Sequence, residues 1–185
     1  VQMQDELLDL MEEMQRTVLF VTHDLDEALK LGHRITIMEA GKTVQKGTPE
    51  EIIVNPKTEY VANFVDNADP SDVLRAETIA SKDFRVSEDN RVRIDDNTEV
   101  LVNSGKEVKE AYISGTPVSI EPLEDYEAME EESVLYVSPD MPISAIMRAR
   151  LNYTSTPVLV LQEGRLVGFV TEQDILHGLL EKGRQ

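Results

Sequence analysis

Three features of this sequence are of a type and spacing that could do chemistry. The first is His23, in the run Thr17-Val18-Leu19-Phe20-Val21-Thr22-His23-Asp24. The β-formers of Thr17 to Val21 predict a short buried strand. A histidine directly after such a strand sits at the C-terminal edge of an α/β sheet, where these sheets place their ligands. There an imidazole can hydrogen-bond a phosphate oxygen or orient a water; the plainer reading is a loop residue. The second feature is a set of arginines. Between Ser133 and Val170 the acids are Asp140 and Glu163, against Arg148, Arg150 and Arg165. Such a stretch can receive an anionic ligand, or it is ordinary surface. The third is Thr171-x-x-Asp174, which reads as a helix start with Thr as N-cap and an acid at N3. His177 lies in the helix that follows, without a clustered partner, and reads as a surface or packing residue.

Composition narrows the function classes. The chain has 185 residues, 36 acidic and 18 basic side chains, a net charge of -18 and no cysteine. That charge disfavours broad nucleic-acid or anionic-membrane binding, because phosphates are repelled. Disulfides and thiolate metal sites are excluded, and His23, His33 and His177 are too scattered in sequence for a metal site. No run approaches 18 apolar residues, so no membrane span is expected. No G-x-x-x-x-G-K-[ST] phosphate loop and no nucleophile–base pair supports an autonomous enzyme.

The elements that must position these residues fall into blocks. Small and polar residues at Asp66-Asn67-Ala68-Asp69-Pro70-Ser71 mark a boundary. Before it, Leu7, Leu10, Met11 and Met14 predict a helix over 2–15. Asp24 predicts an N-cap for a helix over 25–31 that ends at Gly32. A hairpin about Ala40-Gly41 joins strands at 35–38 and 43–45. Thr48-Pro49-Glu50-Glu51 combines an N-cap, a first-turn Pro and a capping-box Glu, and a further helix follows over 58–65. After the boundary, 73–80 reads as a helix, and 84–86, 91–94, 99–102 and 112–113 read as short strands. Residues 121–132 hold seven acids and no base and read as a solvated acidic linker or exposed helix face. Then come a strand at 134–137, a turn at 138–140 and an amphipathic helix through Ile143, Ile146, Met147 and Leu151. Two strands at 156–161 and 166–170 flank a turn at 162–165, and a last helix runs through Ile175, Leu176, Leu179 and Leu180.

The run Val18 to Ala28 resembles the switch-histidine region of ABC transporter ATPases. Arg34-Ile35, Met38-Glu39-Ala40-Gly41-Lys42 and Gly47-Thr48-Pro49-Glu50-Glu51-Ile52 continue the pattern, with His33 where the family has an acid. Asp24-Leu25-Asp26-Glu27-Ala28 is similar to the branch serving glycine betaine/L-proline importers. The resemblance covers residues 1 to about 66. It implies that His23 contacts the ATP γ-phosphate in a complete ATPase, that membrane permease subunits are partners, and that the protein is cytoplasmic, peripheral to the inner face of the cell membrane. With the phosphate loop absent and Val1 at the start, we expect a C-terminal fragment of a longer ATPase that does not turn over ATP alone.

The β-α-β-β-α order of 133–180 resembles a CBS module, carried by Pro157-Val158 and Gly168-Phe169-Val170-Thr171-Glu172-Gln173-Asp174. The resemblance implies an adenine nucleotide between paired modules, hence a homodimer. It places Thr171 and Asp174 at ribose and phosphate, and Ser155, Thr156 and Pro157 along the base pocket. A carboxylate suits two ribose hydroxyls because it accepts both hydrogen bonds. Helix capping explains the same Thr171–Asp174 spacing.

The expected fold class is mixed α/β (α+β). An ATPase remnant would occupy 1–66, a degenerate CBS-like or small β-rich region with the acidic linker 67–132, and a CBS module 133–185.

Overall fold

The computed structural model describes residues 17–66, 68–123, 133–152 and 156–180. The chain folds as two compact units that divide between Val73 and Leu74.

The first unit is built from strong local signals. Helix α1 (Leu25–Leu31) starts at Asp24, whose side chain accepts from the Asp26 and Glu27 amides. Strands β1 (Ile35–Glu39) and β2 (Lys42–Gly47) form an antiparallel hairpin. Ala40 and Gly41 both have positive φ at its turn, as a type I′ connection requires. Helix α2 (Pro49–Val54) carries the full reciprocal capping box of Thr48 and Glu51, and helix α3 (Glu59–Val65) is capped by Thr58. Buried Gln45 ties β2 to the chain after α2, donating to Asn55 O at 2.9 Å and accepting from Lys57 N at 2.7 Å. Leu29, Leu31, Ile35, Ile37, Ile52, Ile53, Val61 and Val65 are buried.

The buried strand expected at 17–21 is not formed. Those residues are irregular, and Leu19 and Val21 are 90% and 87% exposed. A parallel strand needs neighbours to receive its N–H and C=O groups. Among the described residues of this unit the strands are β1 and β2, which pair with each other. The helix expected over 2–15 lies outside the described residues.

The second unit opens with a segment that docks through its backbone. Leu74 O accepts from Ile143 N at 3.0 Å, and Ala76 N donates to Met141 O at 2.8 Å. These bonds, with Arg75 extended, keep the chain out of the helix until Ala76, so the helix expected over 73–80 shrinks to α4 (Ala76–Ile79). The strand expected at 84–86 reduces to a single bridge, Val86 to Val92, because the chain turns immediately at Ser87–Asn90.

Strands β3 (Arg91–Arg93), β4 (Thr98–Val102), β5 (Val108–Ile113) and β6 (Thr116–Pro122) make an antiparallel meander with no helix between them. The meander continues into β7 (Ser133–Val137), helix α5 (Ile143–Asn152), β8 (Val158–Gln162), β9 (Arg165–Val170) and helix α6 (Glu172–Leu180). The β-α-β-β-α order expected at 133–180 is therefore present. Strand order follows the chain from β3 to β9 in one seven-stranded sheet, parallel at β6–β7 and β7–β8 and antiparallel elsewhere. Glu121 lies inside β6, paired with Leu135, where a linker was expected. The rest of the acidic run, 124–132, lies outside the described residues.

Alternation gives this sheet two buried faces. Leu135 and Val137 on β7, and Val158 and Val160 on β8, join Ala76, Ile146, Ala149 and Ile175 on the helix side. Val134 and Leu159 turn the other way and join Val92, Val100, Val102, Ala111, Ile113, Leu166 and Phe169. The sheet curls to enclose that second core. Its last strand is covered at both ends of the free edge. Ser81 pairs with Phe169, and the β4–β5 turn reaches round so that Glu107 bridges Arg165. An unpaired edge is a template for unwanted pairing, and this one is largely closed by its own chain.

Candidate functional site

The residues singled out in the sequence fall into two separate groups. His23 is in the first unit, exposed, immediately before the α1 cap. Its neighbours are ordered by local bonds. Thr22 Oγ1 donates to Glu27 Oε2 at 2.8 Å and accepts from Asp24 N at 3.0 Å. Thr22 and Asp24 thus fix the backbone on either side of the imidazole.

The second group sits where β9 hands over to α6. Asp174 Oδ2 accepts from Thr171 N at 2.8 Å and from Thr171 Oγ1 at 2.6 Å, while Asp174 N donates to Thr171 Oγ1 at 3.2 Å. The other carboxylate oxygen, Oδ1, accepts from Ser81 Oγ at 2.9 Å. Ser81 is 93 residues away in the chain. No spacing rule in the sequence points to it; the signal that could have found it is Gly168. A Cβ on that glycine would lie 3.0 Å from Ala80 Cβ and 3.0 Å from Ser81 O. The glycine admits the strap 80–82 onto β9, and the strap brings Ser81 to Asp174.

The β8–β9 register pairs Val158 with Val170, so the start of β8 adjoins the end of β9. Pro157 and Thr156 are buried there. Thr156 O accepts from Arg150 Nη1. Thr156 also lines a polar cavity of about 350 Å³ with Asp95, Asn97, Thr98, Ser114 and Thr116, and Thr98 Oγ1 is buried there without a hydrogen-bond partner. Ser155 lies outside the described residues. Arg148 is exposed on α5, and Arg165 lies at the β8–β9 turn, apart from Thr171 along β9.

In chemical terms the β9–α6 junction is a hydroxyl–carboxylate cluster whose acceptors are satisfied from within the chain. A ribose diol reaching Asp174 Oδ1 shares that oxygen with the Ser81 hydroxyl or displaces it. As a structural device the cluster is worth more than a simple cap. Asp174→Ala leaves the Thr171 cap but removes the N3 half of the capping box, about 1 kcal/mol, and strands the Ser81 hydroxyl, about 1 kcal/mol more. We expect a total loss of about 2 kcal/mol in urea unfolding, and about half of that for Ser81→Ala. Equal midpoints for wild type and Asp174→Ala would refute this cluster as a stabilising staple.

Two carboxylates of this unit are held below their ordinary range. The hydrogen bond from Lys109 first, then that from Asn103, lowers Glu107. The Ser138 hydroxyl lowers Asp140. Among the described residues no three histidines, aspartates or glutamates gather as a metal site, and no helix is long and apolar enough to cross a membrane.

Residues 124–181 match the CBS domain family. The chain is 32% identical to the glycine betaine/carnitine transport ATP-binding protein GbuA of Listeria monocytogenes, over 96% of this chain and 47% of that protein. It is 31% identical to the glycine betaine/proline betaine transport system ATP-binding protein ProV of Salmonella typhimurium, over 98% of this chain and 49% of that protein. Over a shorter stretch it is 51% identical to the glycine betaine transport ATP-binding protein OpuAA of Bacillus subtilis, covering 50% of this chain and 22% of that protein. It carries a CBS domain and is homologous, over most of its length, to the GbuA and ProV proteins. The chain spans about half the length of the two relatives that it matches along nearly all of itself. The mixed α/β fold is the one the CBS resemblance implied, and the meander β3–β6 is the part of the unit that differs from a β-α-β-β-α order.

Proposed function

We propose that this chain is the regulatory and coupling C-terminal part of the ATP-binding subunit of an osmoprotectant importer of the glycine betaine/L-proline type. The observation that carries the reading is similarity along 96% and 98% of the chain to two transport ATP-binding proteins, with a CBS domain in the same chain. In the complete subunit ATP is the cofactor, membrane permease subunits are the partners, and the location is cytoplasmic, against the inner face of the membrane. His23 contacts the γ-phosphate there. Nothing in this sequence supplies the loop amides and lysine that cradle the β- and γ-phosphates. The isolated chain therefore binds no ATP productively and shows no turnover. Phosphate release assays on the chain and on His23→Ala check this, and His23-dependent hydrolysis by the isolated chain would overturn it.

A second reading is an adenine-nucleotide or cyclic-dinucleotide sensor, with Thr171, Asp174, Ser155, Thr156 and Pro157 as the binding set. What favours it is the junction of β8 and β9, which gathers a carboxylate and two hydroxyls beside a buried Pro157. Calorimetric titration with AMP, ATP and cyclic dinucleotides decides: saturable binding lost in Asp174→Ala supports it. No binding at millimolar ligand leaves the coupling role by itself.

In either reading two copies pair through their CBS modules. Both sheet faces are already covered within the second unit, so pairing uses the helices, where Leu151, Leu176 and Leu180 are exposed. Sedimentation velocity that finds a monomer at high concentration would reject this pairing.

A further inference from the structure

The edge of β9 holds a feature that neither ATP nor a ribose accounts for. Between the strap at Ser81 and the β4–β5 turn at Glu107 the edge stays open. A cleft of about 400 Å³ lies there, lined by Lys82, Phe84, Gly105, Lys106, Arg165, Leu166 and Val167. Three separate segments each deliver one cation to it: Lys82 from the strap, Lys106 from the β4–β5 turn, and Arg165 from the β8–β9 turn. Among the described residues no carboxylate lies within ion-pair distance of any of the three, whereas Arg91 and Lys109 are paired with Glu99 and Glu107. In a chain with twice as many acids as bases, three unpaired cations around one cleft is an arrangement that random surface charge disfavours. The carboxylate nearest by its effect is Glu107, which feels Arg165 weakly but is bonded to Lys109 and Asn103.

The turn that carries Lys106 is built rigidly. Asn103 Oδ1 accepts from Gly105 N at 2.9 Å and from Glu107 N at 3.0 Å, and Lys106 N donates to Asn103 O at 2.9 Å. Lys106 itself has φ 63, a left-handed conformation that Gly or Asn adopts at lower cost. Its ammonium lies over the Phe84 ring, 5.1 Å from the centroid. The cleft therefore presents three cations beside an aromatic face.

We propose that this seam cleft binds a small soluble phosphate ester, with the phosphate between Lys82, Lys106 and Arg165 and an apolar or aromatic group against Phe84. Arg165 supplies the planar fork suited to phosphate oxygens, and the lysines supply point charges. The net charge of -18 selects a small ligand over an anionic surface. A membrane meets the field of the whole chain and is repelled, whereas a small dianion in the cleft meets mainly its near neighbours within a Debye length. The site is separate from the Thr171–Asp174 cluster, which lies past the other end of β9 from Arg165.

The test is calorimetric titration of the chain with inorganic pyrophosphate and with ATP. Wild type should bind both saturably, and more weakly as salt rises. Arg165→Ala and Lys106→Gly should each weaken binding about tenfold. Lys106→Gly eases the left-handed turn, so it keeps or raises the unfolding midpoint, and lost binding cannot be ascribed to lost fold. Asp174→Ala should retain pyrophosphate binding. No pyrophosphate binding by wild type, or binding indifferent to Lys106→Gly and Arg165→Ala, would overturn the proposal. So would binding lost in Asp174→Ala but kept in Lys106→Gly. Sedimentation with phosphatidylglycerol vesicles in the absence of pyrophosphate binding would also overturn it, in favour of a lipid surface.

Discussion

Leu159→Ala is expected to cost about 3 kcal/mol and to loosen both halves of the second unit together. Leu159 is fully buried on β8, on the meander side of the sheet. Deleting its side chain leaves a cavity between β8 and the strands that curl over it. Costs for such truncations run from about 2 to 5 kcal/mol, against a total stability of about 5–15 kcal/mol for a domain. The more specific expectation concerns cooperativity. Strand β8 is bonded to β7 on one side and β9 on the other, and its Val158 and Val160 pack on the helices. Strand β7 does the same with Val134 inward and Leu135 toward the helices. The two cores share a single sheet as their common wall, so neither can be lost without exposing the back of the other. Leu135→Ala, on the helix side, should therefore destabilise by a similar amount. In native-state hydrogen exchange, both variants should lower protection equally at Val100 and Ala111 in the meander and at Ile146 in α5. If Leu159→Ala released the meander amides while those of α5 kept wild-type protection, the meander would be an independent appendage.

How far the sequence foretold this arrangement depends on the range of the forces involved. Local chemistry was legible. Asp24, and Thr48 with Glu51, cap the helices they were expected to cap, and the helix expected over 58–65 forms over Glu59–Val65 with Thr58 as its cap. The β-α-β-β-α order of 133–180 followed from a change of hydrophobic period between strand and helix. Two kinds of feature were missed. Residues 17–21 look like a buried strand by composition, but burial of a strand is a property of its neighbours, and none is present beside it among the described residues. Strand β6 was passed over because Glu121 and Pro122 belong to the run read as a linker. Its inward residues, Val118 and Ile120, do alternate with Ser119 and Glu121. The Ser114-Gly115 turn before it has positive φ at both residues, the same hairpin chemistry as Ala40-Gly41. Reading that turn would have extended the sheet into the supposed linker. Of the candidate site, the Thr171–Asp174 pair was legible both as a cap and as a resemblance. Ser81 and the Lys82–Lys106–Arg165 cleft were not, because each depends on contacts between segments far apart in the chain, brought together by a sheet that curls back on its own edge.

Gly168→Val should destabilise the second unit by about 3 kcal/mol. The argument is one of space and direction. At this glycine an added Cβ meets Ser81 O and Ala80 Cβ, both at 3.0 Å, which is closer than real Cβ atoms normally approach. One of the two obstacles is backbone, so no rotamer change relieves it; the strap 80–82 has to move away from β9. Moving it breaks the pair of bonds between Ser81 and Phe169, at 2.9 and 3.1 Å. It also withdraws Ser81 Oγ from Asp174, so the cost includes part of the staple described above. Gly168→Ala should show the same effect at a smaller size. Ala80→Gly placed in the Gly168→Val background should recover little, because the Ser81 carbonyl remains in the way. Exchange at the Ser81 and Phe169 amides reports the strap directly and should rise in Gly168→Val by more than exchange at Val160, which bonds within the sheet. Full recovery of stability by Ala80→Gly would locate the conflict in the Ala80 methyl and remove the Ser81 carbonyl from the account.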